Sequence, residues 1–334
     1  MQAKSQHTIP RLHLQHFVGR QPADQVWTYD AATGRRWSAI PEETCVQTHF
    51  YSAERRDGTM DTRLEEFLSQ VESCAAPVYE RLLKLRTPED AQARFYFAQF
   101  LAIMHCRTTA MRRMAGEIQG RGAQILSYAY ANNPQAFESL TRRFEQERGK
   151  KVDPLLKEKV RQAMLNPKGY EMEIAKESTF IALGASDKLA PILNQMKWSI
   201  AVAEHGYFVT SDNPLVRQVA PKTAHPIYGD HGFLNKTAEV SFPLSPRLLL
   251  LLSWNEGAKE LGALPRKHVE ALNVIRAAHA DRYLFAHISD NRIAKLAEKY
   301  KDSRPSATTK GFGPDAFAPI RVARRSKATQ KPSH

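Results

Sequence analysis

The spacing of apolar residues changes twice along the chain and predicts strands, then helices, then strands again. Before residue 52, short runs such as Val26–Tyr29 and Arg35–Ile40, separated by a turn, are typical of a small N-terminal β-meander. From Leu64 the apolar residues follow a helical period through a central helical region. After residue 198 short apolar runs return, among them Leu248–Ser253. This order predicts an α+β fold whose C-terminal part is a mixed β-sheet with helices.

Helix starts are marked by capping residues and proline. Thr87-Pro88-Glu89-Asp90 is a start signal, and amphipathic helices are expected over Pro134–Arg148 and Pro154–Leu165. Because the region near 134–168 is dense in charge, we expect a solvated helical outgrowth on a single domain of residues 1–300. The remaining segment, 301–334, is rich in Pro, Ser, Thr, Lys and Arg and is expected to be a disordered tail.

The chain is basic, and the excess of positive charge is uneven. Forty-eight Lys and Arg against 35 Asp and Glu give a net charge of +13. The tail holds eight basic and two acidic residues, or +6, which leaves +7 for the other 300 residues. A field of this sign attracts polyanions, so nucleic acid is an expected partner of the basic surface and tail. The alternative is a basic surface that serves only solubility.

The cysteines and the absence of long apolar runs indicate in which cellular compartment the protein is expected. Cys45, Cys74 and Cys106 are irregularly spaced, without a CxxC pair, which predicts reduced thiols in a cytoplasmic protein. Met1–Pro10 lacks the apolar segment of a secretory signal. No run approaches the roughly 20 apolar residues of a membrane span, so no membrane partner is expected.

The stretch Thr210-Ser211-Asp212-Asn213-Pro214 directly follows the apolar run Tyr207–Val209. Asp and Asn before Pro form tight turns because their side chains bind nearby backbone amides, so one interpretation is purely structural. The other is a functional strand end, where Asp212 is catalytic and Ser211 and Asn213 bind substrate.

Arg107 is the least expected residue of the central helices. It lies in line with Phe100 and Ile103, and an unpaired guanidinium in an apolar stripe costs several kcal/mol or more. Glu65, Glu72 and Asp212 are its candidate partners. The pair could be a structural ion pair, or Arg107 could bind a phosphate or carboxylate.

Glu65 and Glu72 are seven residues apart on one predicted helix face, roughly 10 Å along its axis. That spacing argues against one Mg²⁺ bound by both, whose ligands lie at about 2.1 Å. Either could bind a metal with a residue from elsewhere, or both could simply flank the core.

These segments resemble DUF4238, a family of bacterial proteins of unknown function, over about residues 7–298. The resemblance is carried by His7-Thr8-Ile9-Pro10 with Leu14 and Phe17, Val26-Trp27-Thr28-Tyr29-Asp30, Phe50-Tyr51, Leu64-Glu65 with Leu68 and Val71-Glu72, Arg107-Thr108, Thr210-Ser211-Asp212-Asn213-Pro214 and Phe242-Pro243-Leu244-Ser245-Pro246. One departure is Thr109, where a Pro is expected. The resemblance implies a shared polar set of His7, Glu65, Glu72, Arg107 and Asp212, and no particular activity.

The first functional hypothesis is a phosphodiester-acting enzyme, nuclease-like and of the defence or toxin type. In it Asp212 with Glu65 or Glu72 would hold Mg²⁺ or Mn²⁺, Arg107 would stabilise phosphoryl charge, and His7 would move a proton. A non-catalytic module that binds nucleic acid or protein, with a structural Arg–carboxylate network, is one alternative. A small-molecule hydrolase is another.

Overall fold

A computed structural model describes residues 5–48, 53–54, 60–61, 63–85, 90–170, 172, 177–219, 232–257 and 261–303. The predicted tail beyond residue 303 lies outside these residues, as do Thr87, Pro88 and Glu89 of the predicted helix start. The division into one domain of residues 1–300 and a disordered tail therefore stays a prediction.

The described strands form two larger sheets and two short pairs. In the five-stranded sheet the order is β12-β7-β11-β10-β9, and in the four-stranded sheet it is β3-β2-β13-β8. β12 runs parallel to β7, and the other neighbours are antiparallel, so the larger sheet is mixed. The strands are β1 (Ser5–His7), β2 (Val26–Asp30), β3 (Arg36–Ala39), β4 (Val46–Thr48), β5 (Ala53–Glu54), β6 (Met60–Asp61), β7 (Lys197–Ala203), β8 (Thr210–Ser211), β9 (Val216–Gln218), β10 (Glu239–Pro243), β11 (Leu248–Ser253), β12 (Leu261–Leu264) and β13 (Tyr283–Ala286).

The predicted α+β class is confirmed, and the partners of the N-terminal strands refine it. β2 and β3 form the expected hairpin. Their sheet continues with β13 and β8 from the C-terminal half, whereas β4 pairs with β1. Four of the five residues of β2 are buried, so both faces of this strand are covered, which an isolated meander with one solvated face would not provide.

The helices occupy the middle of the chain and its C-terminal third. They are α1 (Arg11–Leu14), α2 (Arg63–Leu83), α3 (Ala91–Cys106), α4 (Thr109–Asn132), α5 (Pro134–Arg148), α6 (Pro154–Leu165), α7 (Glu177–Gly184), α8 (Ser186–Gln195), α9 (Arg266–His279) and α10 (Asn291–Lys299).

Local capping chemistry sets the best-predicted helix ends. Asp90 caps α3 by accepting bonds from the backbone N–H groups of Gln92 and Ala93. Asn133 and Asp153 cap α5 and α6 in the same way, each before a proline whose missing N–H is not needed at that position. The predicted bounds of α5 and α6 are confirmed.

The chain divides into two compact units. The first consists of residues 1–116 and 174–307 and contains both larger sheets. The second includes residues 117–173, and there Gln124 donates to the carbonyl of Tyr170 at 2.6 Å and Arg161 to that of Ala131 at 3.0 Å. The helices α5 and α6 belong to this second unit.

The core of the first unit is built around α3, which has buried apolar residues on all sides. Phe97 and Phe100 both contact the buried ring of Tyr79. Phe100 also contacts Phe242, and Phe97 also contacts Trp198. Burying each such side chain contributes about 1.5–3 kcal/mol to folding.

The N-terminal segment is tied into this core. Ile9, Leu14 and Phe17 are completely buried, and the residue pair His7–Val46 belongs to the β1–β4 ladder. This position fixes His7 and Thr8 against the rest of the first unit.

Candidate functional site

Arg107 ends α3 and connects two of the residues predicted for the site. Its Nη1 donates to Oε1 of Glu72 at 2.7 Å, and its Nη2 donates to the backbone carbonyl of His7 at 2.6 Å. The Arg107 side chain is only 4% exposed and that of Glu72 27%. Glu72, one of the three candidate partners, therefore binds Arg107, and the planar fork joins α2, α3 and β1.

The imidazole of His7 and its backbone carbonyl contact different residues, Glu42 and Arg107 respectively. Its Nε2 lies 3.1 Å from the carbonyl oxygen of Glu42, an acceptor, so this nitrogen carries the proton in that contact. Glu65 lies half-buried in the first turn of α2, two turns before Glu72. The structure thus brings together the backbone of His7, Glu72 and Arg107.

Asp212 follows β8 and holds the turn between α9 and β13. Its Oδ1 accepts a bond from the backbone N–H of Asp281 at 2.8 Å. Its Oδ2 accepts from the N–H groups of Arg282 at 2.7 Å and Tyr283 at 2.9 Å. Three backbone donors fix the carboxylate, and Oδ1 keeps one lone pair free of these bonds.

The neighbours of Asp212 use their side chains to shape the same strand end. The Ser211 hydroxyl donates to the carbonyl of Asn213 at 2.9 Å and accepts from its N–H at 3.2 Å. Asn213 Nδ2 donates to the carbonyl of His279 at 2.9 Å. Both residues are buried, and these contacts are those of a well-made turn. Substrate binding by Ser211 and Asn213 stays a prediction.

A buried histidine that the sequence reasoning did not select joins this strand end to the core. Thr210 Oγ1 lies 2.8 Å from His13 Nε2, and Tyr79 Oη lies 2.9 Å from His13 Nδ1. Because Tyr79 donates to the carbonyl of Leu244 at 3.0 Å, it accepts from Nδ1, and Thr210 donates to Nε2. His13 is neutral here, and burial lowers its pKa well below the ordinary value.

A polar cavity of about 560 Å³ lies beside Asp212 in the first unit. Pockets that hold small molecules are commonly about 300–1,000 Å³. Three segments that carry the family resemblance contribute to its wall, through Thr8, Thr28 and Asp212. The lining residues are Thr8, Thr28, Ala32, Trp37, Glu43, Thr44, Cys45, Val46, Thr109, Arg113, Asp212, Asp281, Arg282, Tyr283 and Phe285.

Two ion pairs hold the arginines of this cavity. Arg113 Nη1 donates to Asp281 Oδ1 at 2.5 Å, with the Arg113 side chain 32% exposed and that of Asp281 10%. Arg282 binds Asp30 with both arms of its fork, at 2.8 and 2.7 Å, and its guanidinium lies over the Tyr283 ring. Because Arg282 donates both bonds, the pKa of Asp30 is held far below its ordinary value.

The electrostatic surroundings give Asp212 the protonation behaviour of an acid–base group. Burial raises its pKa to about 7, and the nearby charge of Asp281 acts in the same direction against the backbone donors. Burial likewise raises the pKa of the Cys45 thiol, to which the charge of Asp212 contributes. At neutral pH Asp212 can therefore give or take a proton, whereas Cys45 stays a neutral thiol.

The sequence hypothesis pairs Asp212 with Glu65 as metal ligands. Among the described residues, no three His, Cys, Asp or Glu side chains come together as a metal site. Both oxygens of Asp212 already accept backbone bonds. Binding of Mg²⁺ or Mn²⁺ by this pair stays a prediction.

The predicted site does not include Arg113, Asp281 and Arg282, which line the same cavity as Asp212. A local signal existed for two of them, since Asp281-Arg282 is a charged pair between an amphipathic helix and an apolar strand. No signal marked Arg113, because its ion pair with Asp281 joins residues that are 168 positions apart.

The fold and the cavity define an α+β protein with a polar pocket of small-molecule size. The chain belongs to the DUF4238 family, described as a protein of unknown function, whose model matches residues 5–290. No curated protein and no solved structure matches the chain. Within the described part of the chain, every helix is too short or too polar to cross a bilayer.

Proposed function

We propose that the protein is an enzyme that hydrolyses a small polar molecule bound in the cavity beside Asp212. The observation that carries the proposal is the meeting, at one cavity of about 560 Å³, of a backbone-fixed carboxylate, an arginine and several hydroxyl groups from distant segments. In this reaction water attacks the substrate and the bond to its leaving oxygen breaks. Asp212 takes a proton from the water and gives it to the leaving oxygen, Arg113 stabilises negative charge on an oxygen of the substrate, and Trp37 packs against its apolar part.

The charge of the cavity indicates which substrates it favours. Glu43, Asp212 and Asp281 outnumber Arg113 and Arg282, so the wall is negative by one charge when all five groups are ionised. A neutral or cationic substrate fits such a wall better than a polyanion does. This is the small-molecule hydrolase of the sequence hypotheses.

The phosphodiester-acting, nuclease-like enzyme is our second candidate, and a nucleic-acid partner belongs to it. Its support is the net charge of +13 and the presence of two arginines on the cavity wall. We further propose a bacterial, cytoplasmic setting, because all three cysteines are free thiols and the family resemblance is to bacterial proteins.

The test is a panel of chromogenic substrates comprising a carboxylic ester, neutral glycosides and bis(p-nitrophenyl) phosphate. The wild type is expected to hydrolyse a neutral member, and Arg113→Gln and Asp212→Asn to lower its kcat/KM by about 10²-fold or more. Arg266→Gln is the matched control, because Arg266 forms an exposed ion pair with Glu270 away from the cavity. Arg113→Lys keeps the charge and restores part of the activity.

The outcomes separate the candidates. Turnover of the phosphodiester alone, lost in both cavity variants, would replace the first candidate by the second. If all five proteins gave equal rates, or if no member of the panel were turned over faster than in buffer, the proposed hydrolase would be rejected. Melting curves of each variant show which losses come from unfolding.

A further inference from the structure

A second cavity, of about 600 Å³, lies in the first unit and shares no residue with the cavity beside Asp212. It is formed by the first turn of α3, the connection from α8 to β7, and the end of β11. Three cationic side chains, Arg94, Lys197 and Lys236, line it together with a single acid, Glu256. Its wall therefore carries two net positive charges, the opposite sign to the first cavity.

Arg94 is fixed in this cavity by backbone carbonyls and an aromatic ring. Its Nε donates to the carbonyl of Asn194 at 3.1 Å and its Nη2 to that of Met196 at 2.6 Å. The guanidinium lies over the Trp198 ring, 4.5 Å from its centroid. Carbonyls position the guanidinium without neutralising it, and burial lowers its pKa.

The two lysines are held in the same way, by groups without formal charge. Lys197 Nζ donates to the backbone carbonyl of Glu256 at 3.1 Å, and Lys236 Nζ lies 3.8 Å from the centroid of the Trp254 ring. Within the described part of the chain, neither lysine nor Arg94 forms an ion pair with a carboxylate. Three cations therefore face one cavity with N–H donors left for an anion.

We propose that this second cavity binds the phosphate group of a small molecule. A phosphate offers several acceptor oxygens and about two negative charges, which match the unneutralised wall and the donors of Arg94, Lys197 and Lys236. The phosphate could be free or part of a nucleotide, since the same groups would recognise both. The proposal is independent of hydrolysis at Asp212.

Isothermal titration with inorganic phosphate, adenosine monophosphate and adenosine tests this site and distinguishes the two sources. We expect saturable binding of the two phosphates that weakens with added salt. Equal dissociation constants would mean that the site recognises the phosphate group alone, and tighter binding of the monophosphate would indicate a nucleotide. Adenosine bound as tightly as its monophosphate would overturn the proposal.

Charge-reversal variants test whether phosphate binds in this cavity and not elsewhere on the basic surface. Lys236→Glu is expected to weaken phosphate binding by about tenfold or more, because it removes a charged donor and adds a repelling carboxylate. Lys295→Glu on α10 makes the same change in net charge at an exposed position away from the cavity, and its binding should equal that of the wild type. Lys236 is exposed, so its replacement should leave the fold intact. Equal weakening by both variants, or no saturable heat with either phosphate, would refute the site.

Discussion

The fork of Arg107 joins Glu72 and the carbonyl of His7 across three elements of the first unit. Removing one partner of a largely buried pair leaves the other groups without compensation, so we expect Arg107→Ala to lower the free energy of unfolding by about 3 kcal/mol. Urea denaturation measures this loss. Arg143→Ala is the control, because the Arg143–Glu147 pair is well exposed and should contribute less than about 1 kcal/mol. Equal losses in the two variants would contradict a structural role for Arg107.

The sequence indicates that Arg107 needs a partner, because it interrupts an apolar stripe, and Glu72 is among the three candidates it offers. The second partner is a backbone carbonyl, which no side-chain pattern can reveal. His13 is missed for a related reason. Its role depends on Tyr79 and Thr210, which are 66 and 197 positions away along the chain.

The carboxylate of Asp212 binds the connection from α9 to β13 to the end of β8. Because the pKa of Asp212 differs between the folded and unfolded states, the free energy of unfolding depends on pH. The folded pKa of about 7 exceeds the ordinary value of about 3.9, so between these values the native state binds the proton more tightly than the unfolded state. The contribution of this group is therefore fully present below about pH 3.9, and it falls by about 2–4 kcal/mol between pH 4 and pH 8.

Urea denaturation of the wild type and of Asp212→Asn across this range isolates that group. The difference in unfolding free energy between the two proteins should shift against the wild type as the pH rises. Asp24→Asn, an exposed position whose positive φ an Asn tolerates, should run parallel to the wild type. A difference that instead shifts in favour of the wild type would mean that the three backbone donors dominate and that Asp212 is ionised throughout.

The starts of α5 and α6 could be predicted to the residue because each is set locally by a capping side chain directly before a proline, Asn133 before Pro134 and Asp153 before Pro154. The order of the strands in the four-stranded sheet could not be predicted from the sequence. β13 lies between β2 and β8, and these pairings join residues far apart along the chain. Apolar periodicity shows that β2 is a strand but not which strands flank it. The cavity formed at this sheet was therefore beyond the reach of the sequence, although Asp212 on its wall was not.

Five histidines of the first unit give the molecule an acid lability that opposes the effect of Asp212. Burial lowers the pKa of His13, His16, His105, His279 and His287 below the unfolded value of about 6.5. Below that pH the unfolded state binds more protons at these positions than the native state does. The contribution of these histidines to the free energy of unfolding is therefore fully present above about pH 6.5 and is lost as the pH falls.

His105 offers the sharpest test of this behaviour, because burial lowers its pKa to about 4. It should contribute about 2–3 kcal/mol to the loss of unfolding free energy between pH 6.5 and 4. His105→Gln keeps a donor for the carbonyl of Leu215 and does not titrate, so its stability should decline less over this range than that of the wild type. His268→Gln, at an exposed position of α9, should follow the wild type. Parallel curves for all three proteins would show that His105 does not charge on unfolding, and the acid lability would then have to arise at the other four histidines.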